Sequence, residues 1–397
     1  MKTDRKFRIY NAKKKDFKAI VLGGSLFLLL MPYFMWENQN LIFIVNIVLV
    51  VLSISYFDKR QVLLKNIILL PILFFLILYK EIESNFFGLL ISLIPLVFFL
   101  IREEKIILIY KYFKLFFAVS ILLSLVVFIA KMLSIPINYN IIEPLNPLKT
   151  YNYYQYPFLV TPSSINLENI LGSFRFFGMF DEPGVIGTFC GIMLVLDKYK
   201  MNSFSNKILL LGGLASVSFF FMGITIAFML YFSNNKKRLI IFAAIAFFFF
   251  QTKDNSIVYG MVWERFEVLD GEVKGDNRAN ADFLKYYNSY LKSDDIYFGK
   301  GKSFEEKIGL EGSASYKQLV FRYGIIFTFM LILFYIAYSI FTIKKMKGII
   351  IFILLFLALL YNRPFIFSSV YTFIIISSIT IIKEKMLSNN LGRLNDN

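Results

Sequence analysis

The sequence predicts an all-α, polytopic helical membrane protein, and three observations carry that expectation. Of the 397 residues 57% are hydrophobic, and the mean hydropathy of +0.63 means more apolar surface than a soluble core can hide. Apolar runs recur, such as FKAIVLGGSLFLLLMPYFMW (17–36) and NLIFIVNIVLVVLSISYF (40–57), each long enough to cross a bilayer as a helix. The 43 lysines and arginines against 27 acidic residues gather largely in short loops and tails, where the positive-inside rule puts them in the cytoplasm. In a soluble chain the net charge of +16 would suggest nucleic acid; here topology accounts for it, and no nucleic-acid partner is expected.

The elements follow in order. Residues 1–130 join a basic cytoplasmic tail to five spans. The tail MKTDRKFRIYNAKKKDFK carries eight basic and two acidic residues. The run behind it is too long for a signal-peptide core and more spans follow at once, so it is a retained first span. Counting from there, ENQ (37–39) lies outside, DKRQ (58–61) inside, KEIES (80–84) outside and REEK (102–105) inside. The fifth span, 112–130, delivers a first external loop, 131–183. A short sixth span from Gly184 returns to DKYKMNSFSNK (197–207).

The stretch ILLLGGLASVSFFFMGITIAFMLYF (208–232) has the length of one span, yet the basic SNNKKR behind it belongs inside again. Two short crossings, broken near Gly212-Gly213 or at Ser216-Val217-Ser218, restore the rule and give about 12 spans; a single crossing gives 11. Broken helices at membrane depth require burial or a cavity, so 184–251 is expected to hold short, broken helices. A second external loop, 252–316, contains twelve acidic and nine basic residues. Within it NRANADFLKYYNSYLKS (277–293) sets Ala279, Phe283, Tyr287, Tyr290 and Leu291 on one helical face, as in an amphipathic helix at the interface or over a cavity. Residues 317–397 form the C-terminal spans and a cytoplasmic tail.

Histidine is absent, which removes His-based catalysis and the common His-containing metal sites. No compact ligand cluster suggests a metal, and no cofactor is expected. The lone cysteine, Cys190, lies in an apolar run as a small core residue.

Two external constellations stand out. In RFFGMFDEPGVIG (175–187), Pro183 suits the first turn of the sixth span, with Glu182 at the N-cap and Asp181 just outside. A helix N-terminus favours an anion, and Arg175 adds a planar cation suited to phosphate. Gly178, Gly184 and Gly187 permit sharp turns or close approach. The plainer alternative is that Glu182 caps the helix while Arg175 pairs with Asp181 or meets lipid headgroups. In FGKGKSFEEKIGLEGSASYKQLVFRYG (298–324), Gly299-Lys300-Gly301-Lys302 is a basic turn, and Ser313 and Ser315 sit at the entry to the next span. Arg322 lies about two turns inside that span, where it must face a cavity, pair or snorkel. Arg265 and Arg278 add cations; they serve as surface charges or converge with Arg175 on one membrane face.

The pattern Arg175-x-x-Gly178-x-Phe180-x-Glu182-Pro183 opening a short span, then broken spans, then a long external loop ending in Gly-x-Gly and GSASYKQLVFRYG, resembles the superfamily of O-antigen polymerases (Wzy-type) and O-antigen ligases. The likeness covers roughly 170–330 in motifs and the rest in hydropathy. It implies a GT-C-like glycosyltransferase of the bacterial cytoplasmic membrane, with its active site facing outward. The implied substrates are oligosaccharide repeat units linked to undecaprenyl pyrophosphate, with membrane lipids, a chain-length regulator and a flippase as partners. It further implies arginine and lysine contacts to pyrophosphate from Arg175, Arg265, Arg278, Arg322, Lys300 and Lys302, with Glu182 as base and Asp181 beside it. Ligases of the superfamily typically carry a histidine just before the span that starts near Tyr316; this chain reads Gly312-Ser313-Ala314-Ser315 there, which favours the polymerase. A transporter of anionic sugars would be expected to show an internal repeat, and none is visible.

The topology has a direct test. With Cys190 replaced, a Ser289→Cys variant should react with a membrane-impermeant maleimide from outside only; labelling confined to the cytoplasmic side would remove both long loops from a common face.

Overall fold

The computed structural model describes residues 16–57, 64–83, 85–146, 149, 151–163, 175–252, 259, 263, 267–269, 272–273, 281–307 and 315–395, and it is mostly helical. Asp16 opens α1 (Phe17–Leu28) by accepting the Ala19 N–H at 3.3 Å. The run 17–36 is not one helix, contrary to its hydropathy. Met31 adopts a φ of 59°, Pro32 follows, and a short 3-10 turn spans Tyr33–Met35. Next come α2 (Gln39–Ile54), α3 (Leu64–Lys80), α4 (Phe86–Leu93, extended by 3-10 turns to Phe99) and α5 (Glu103–Met132). Glu103 and Glu104 in the first turn of α5 and Lys131 in its last complement the helix dipole.

The second half contains α6 (Pro183–Leu196), α7 (Phe204–Ala215), α8 (Phe219–Phe232), α9 (Asn235–Thr252), α10 (Ala281–Tyr290), α11 (Lys302–Lys307), α12 (Tyr316–Ile343), α13 (Met346–Asn362) and α14 (Ser369–Asn395). Among the described residues, α5 and α12 are long and apolar enough to cross a membrane, and several others are apolar but shorter. Val51, Phe75, Phe87, Val126, Phe329 and Phe341 face outward, each more than half exposed. Cys190 is fully buried on α6.

Ion pairs knit one end of the bundle. Lys105 bonds Asp16 at 2.8 Å, Lys383 bonds Glu103 at 2.6 Å, and Asp197 after α6 pairs with both Lys114 and Lys385. Lys347 at the start of α13 lies over the Tyr231 ring at the end of α8. The opposite end carries the long connections. There the chain departs from a purely helical expectation: β1 (Asn140–Ile142), β2 (Tyr153–Tyr156) and β3 (Leu159–Pro162) form an antiparallel sheet with Asn140 opposite Gln155 and Tyr156 opposite Leu159. In β2 the two end residues, Tyr153 and Tyr156, are buried, and Tyr154 and Gln155 between them are half-buried.

Two helices are interrupted, and each gap is filled by a loop. The chain breaks between α7 and α8 at Ser216-Val217-Ser218, one of the two places expected from the charge pattern. Phe176 N–H donates to Ala215 O at 3.0 Å and Arg175 Nε to Ser216 O at 3.3 Å, so the carbonyls at the end of α7 are satisfied. Inside α12, Gly324 takes φ 82° and ψ 170°. The three carbonyls this frees all find donors: Val320 O from the Tyr290 hydroxyl at 2.7 Å, Phe321 O from Lys300 N–H at 2.8 Å and Arg322 O from Gly301 N–H at 3.0 Å. Gly299 and Gly301, at φ 84° and 81°, supply the left-handed turn that aims those amides.

The amphipathic segment folds as α10 and packs on α12, with the Phe283 and Phe321 rings 5.5 Å apart. Phe283, Tyr287 and Tyr290 are buried as expected, whereas Leu291 is 42% exposed because the helix ends one residue before it. Ala279 lies outside the described residues. Beneath this layer Glu305 of α11 is fully buried and binds both Arg322 and, at 2.6 Å, Gln318 Nε2.

Removing one partner of that pair should be costly. Glu305→Gln leaves a mostly buried guanidinium uncompensated and should lower stability by about 3 kcal/mol, while Glu305→Leu combined with Arg322→Met should recover most of it. Denaturant unfolding in micelles reads the difference; equal losses in the single and double variants would show that the pair contributes no specific stability.

Candidate functional site

Pro183 occupies the first position of α6 and Glu182 its N-cap, where the pattern of residues placed them. The Glu182 side chain makes no capping bond. Its carboxylate instead accepts from the guanidinium of Arg363, the buried C-cap of α13. Gly184 makes room for this contact, since a side chain there would overlap the guanidinium. One turn on, Asn362 Nδ2 donates to Thr188 Oγ1 at 2.6 Å and locks α13 against α6. Gly187 brings α6 so close to Ser218 that a methyl group would collide with it, which sets the N-termini of α6 and α8 side by side.

The residue before the cap is held as firmly. Asp181 is buried, pairs with Lys149 at 2.7 Å, and its carbonyl accepts from the Tyr153 hydroxyl at 2.8 Å. Burial above all pushes the Tyr153 phenol up, so it remains a donor. Gly178 makes a turn at φ 55° just before, and its carbonyl accepts from Val160 N–H of β3 at 2.8 Å. The Arg363 charge, with Lys149 and Arg175 adding to it, holds the Glu182 carboxyl below the usual carboxylate range although burial pulls the other way. Glu182 is therefore an ionised, partly exposed carboxylate surrounded by three cations.

An apolar groove of about 370 Å³ lies between α8 and α13. Phe219, Phe220, Ile224, Phe228, Tyr231, Leu354 and Tyr361 line it, with Gly223, Ala227 and Ala358 keeping it open. Nothing lies within 4 Å of where a Gly223 side chain would begin. Along the chain, Tyr361 of its lining is two residues from Arg363, and Phe219 is three from Ser216, whose carbonyl accepts from Arg175.

A second cavity, about 350 Å³, lies among α2, α3, α4, α12 and the segment Pro364–Val370, with Lys80, Arg322, Gln318, Asn46 and Ser92 on its walls. Arg322 is answered by Glu305 and Lys80 by Glu81. Comparisons with protein-family models, with curated proteins and with solved structures gave no match.

The structure thus gathers Arg175, Asp181, Glu182, Pro183 and Gly184 at one mouth and places Arg322 in the second cavity. Lys300 pairs with Asp295 on the loop that fills the α12 gap, and Lys302 pairs with Glu306 at 3.0 Å along α11. The amides of Gly299 and Gly301 bond Asp295 O and Arg322 O, so the glycine turn mends a helix in this conformation. Ser315 is the buried N-cap of α12. Arg265, Arg278 and Ser313 lie outside the described residues. Sequence reasoning missed Arg363, Lys149, Tyr153 and Lys80. Arg363 had a signal: an arginine and a proline end an apolar run on the side that the charge alternation makes external.

The ion pair gives a pH signature. Because the folded pKa of Glu182 is depressed, its stabilising contribution is complete above the ordinary glutamate value of about 4.3 and is lost as pH falls through the lower folded value. The gap in melting temperature between the wild type and Arg363→Gln should be constant from about pH 8 to 5 and narrow below about pH 4. A gap that does not change with pH would show that the carboxylate charge is not what Arg363 answers.

Proposed function

We propose that the chain is an integral-membrane glycan polymerase of the O-antigen polymerase (Wzy) type, acting on repeat units carried by a polyprenyl pyrophosphate. The observation that carries the proposal is the grouping of Arg363, Arg175 and Lys149 around Glu182, together with an apolar groove between α8 and α13 whose Tyr361 lies two residues before Arg363. Such a site suits an amphiphile with an anionic head and a long apolar tail. Taken as a membrane protein, the chain crosses twelve times: α1 to α9 once each, then α12, α13 and α14. The exposed apolar side chains meet lipid, the Asp16, Glu103 and Asp197 end faces the cytoplasm, and the Glu182 mouth faces outward. α1, α4, α6, α7 and α8 are too short to span the roughly 30 Å hydrocarbon layer alone, which is tolerable for a buried helix such as α6 and for breaks satisfied from the loops.

In the reaction, a hydroxyl oxygen of the acceptor unit attacks the anomeric carbon of the donor glycan. The bond from that carbon to the pyrophosphate oxygen breaks, and the electron pair leaves with the polyprenyl pyrophosphate. Arg363 and Arg175 stabilise the departing charge, together with the N-terminal end of α6. Glu182 accepts the hydrogen bond of the attacking hydroxyl and takes its proton as the new bond forms. Its pairing with Arg363 makes it a weak base, adequate because pyrophosphate is a good leaving group that demands little deprotonation before attack. Both steps require only positioning and charge from this chain.

The deciding experiment incubates purified protein with lipid-linked repeat units and reads polymer ladders. Ladders are expected from the wild type, and their absence with competent substrate would overturn the proposal. Glu182→Gln should slow turnover by about 100-fold or more. Arg175→Lys should lose most polymerisation because the planar fork is gone. Gly223→Phe fills open space without strain and should raise KM by about tenfold, at unchanged stability, if the groove holds the lipid. Wild-type kinetics from Gly223→Phe would place the tail elsewhere.

A further inference from the structure

A third cavity, about 670 Å³, opens at the end of the molecule that carries the sheet, between the connection from α1 to α2 and the β1–β2 side of the sheet. Its chemistry differs from the others. Glu37, Asn38, Asn40, Glu143 and Gln155 bring amide and carboxylate groups to its walls, interleaved with Phe34, Pro144 and Leu145. Among the described residues, the side chains of those five polar residues make no hydrogen bond or ion pair with one another or with the rest of the chain. Phe34 is 44% exposed and offers a ring face.

The back wall is rigid. Trp36 is buried, its Nε1 donates to Met31 O at 2.9 Å, and its ring meets the Tyr153 ring edge-on at 5.5 Å. Tyr153 in turn binds the carbonyl of Asp181, and Tyr33 N–H donates to Met179 O at 2.8 Å. The cavity wall is therefore tied, through Tyr33 and through the Trp36–Tyr153 contact, to the loop that presents Glu182.

We propose that this cavity is a glycan subsite that holds the acceptor repeat unit by its neutral or amino sugars. A pyranose has two kinds of surface, and the lining answers both: apolar C–H faces pack on Phe34, Pro144 and Leu145, while hydroxyl pairs bond the amides and carboxylates. The volume falls within the ~300–1,000 Å³ of pockets that enclose ligands of several rings. Glu37 and Glu143 repel uronates and phosphates, so the lipid pyrophosphate is directed to Arg363 and Arg175 and the uncharged part of the substrate to the cavity. Among the described residues, no group of three or more acidic, histidine or cysteine residues is placed to hold a metal ion.

The inference rests on the proposed polymerase activity for the word acceptor, and the test separates the two. Full-length protein in micelles is titrated calorimetrically with repeat-unit oligosaccharide freed from its lipid by mild acid, beside polymer-ladder assays on the same preparation. Saturable binding is expected, weakened about tenfold or more by Asn40→Ala and by Gln155→Ala. In the ladder assay those variants should raise the acceptor KM and leave kcat near wild type, which a merely structural role would not do. Ladders from the wild type without oligosaccharide binding, or with binding untouched by both substitutions, overturn the subsite and leave the polymerase standing. Binding lost in both variants without any ladders overturns the polymerase and keeps the cavity as a glycan site. Preferential binding of a lysine-rich peptide or of a hexuronic acid trimer overturns the assigned ligand class.

Discussion

Backbone amides and carbonyls tolerate burial only when paired, and this constraint organises the molecule around its two interrupted helices. Each interruption would leave carbonyls stranded in an apolar bundle. At Ser216–Ser218 the donors come from Phe176 and Arg175; at Gly324 they come from Tyr290, Lys300 and Gly301. The two long connections are therefore structural parts of the bundle. Because the segment that fills the first gap runs directly into Asp181 and Glu182, mending the α7–α8 break also fixes where the carboxylates sit.

The charge cluster follows from that geometry. α6 begins beside α8 because Gly187 admits Ser218, and α13 ends against α6 because Asn362 and Arg363 reach Thr188 and Glu182. An arginine buried at a helix C-cap is stable there only with a carboxylate beside it, and that carboxylate is only partly covered. The cluster is thus both a joint between helices and a charged surface open to a ligand, and an anion arriving there competes with Glu182 for the guanidinium. That competition ties ligand binding to the freedom of the carboxylate.

Much of the helical architecture was legible from hydropathy and charge alone. The basic SNNKKR cluster pointed to a break in the apolar run before it, and the helix is broken at Ser216–Ser218. Pro183 announced the start of α6 and Glu182 its N-cap. The partner of Glu182 was not legible, because Arg363 is 181 residues away and nothing local marks the contact. Gly-x-Gly was legible only as a basic turn; the amides of Lys300 and Gly301 face a kink at Gly324 that a windowed hydropathy average does not register. The sheet was not legible for a different reason: β2 lies in a polar connection, and Tyr153-Tyr154-Gln155-Tyr156 shows no strict alternation of apolar and polar residues.

The order of the two fillers along the chain has a consequence for biogenesis. Phe176 precedes the break at Ser216, and Tyr290, Lys300 and Gly301 precede the one at Gly324. A ribosome working from the N-terminus makes each filler before the helix break that needs it, so the donor segment already exists when the discontinuous helix is made. Neither stranded carbonyl set has to wait for a downstream partner. Vectorial synthesis and backbone satisfaction agree in direction, and a circular permutation that placed either loop after its helix would reverse that order while leaving every contact of the finished fold in place.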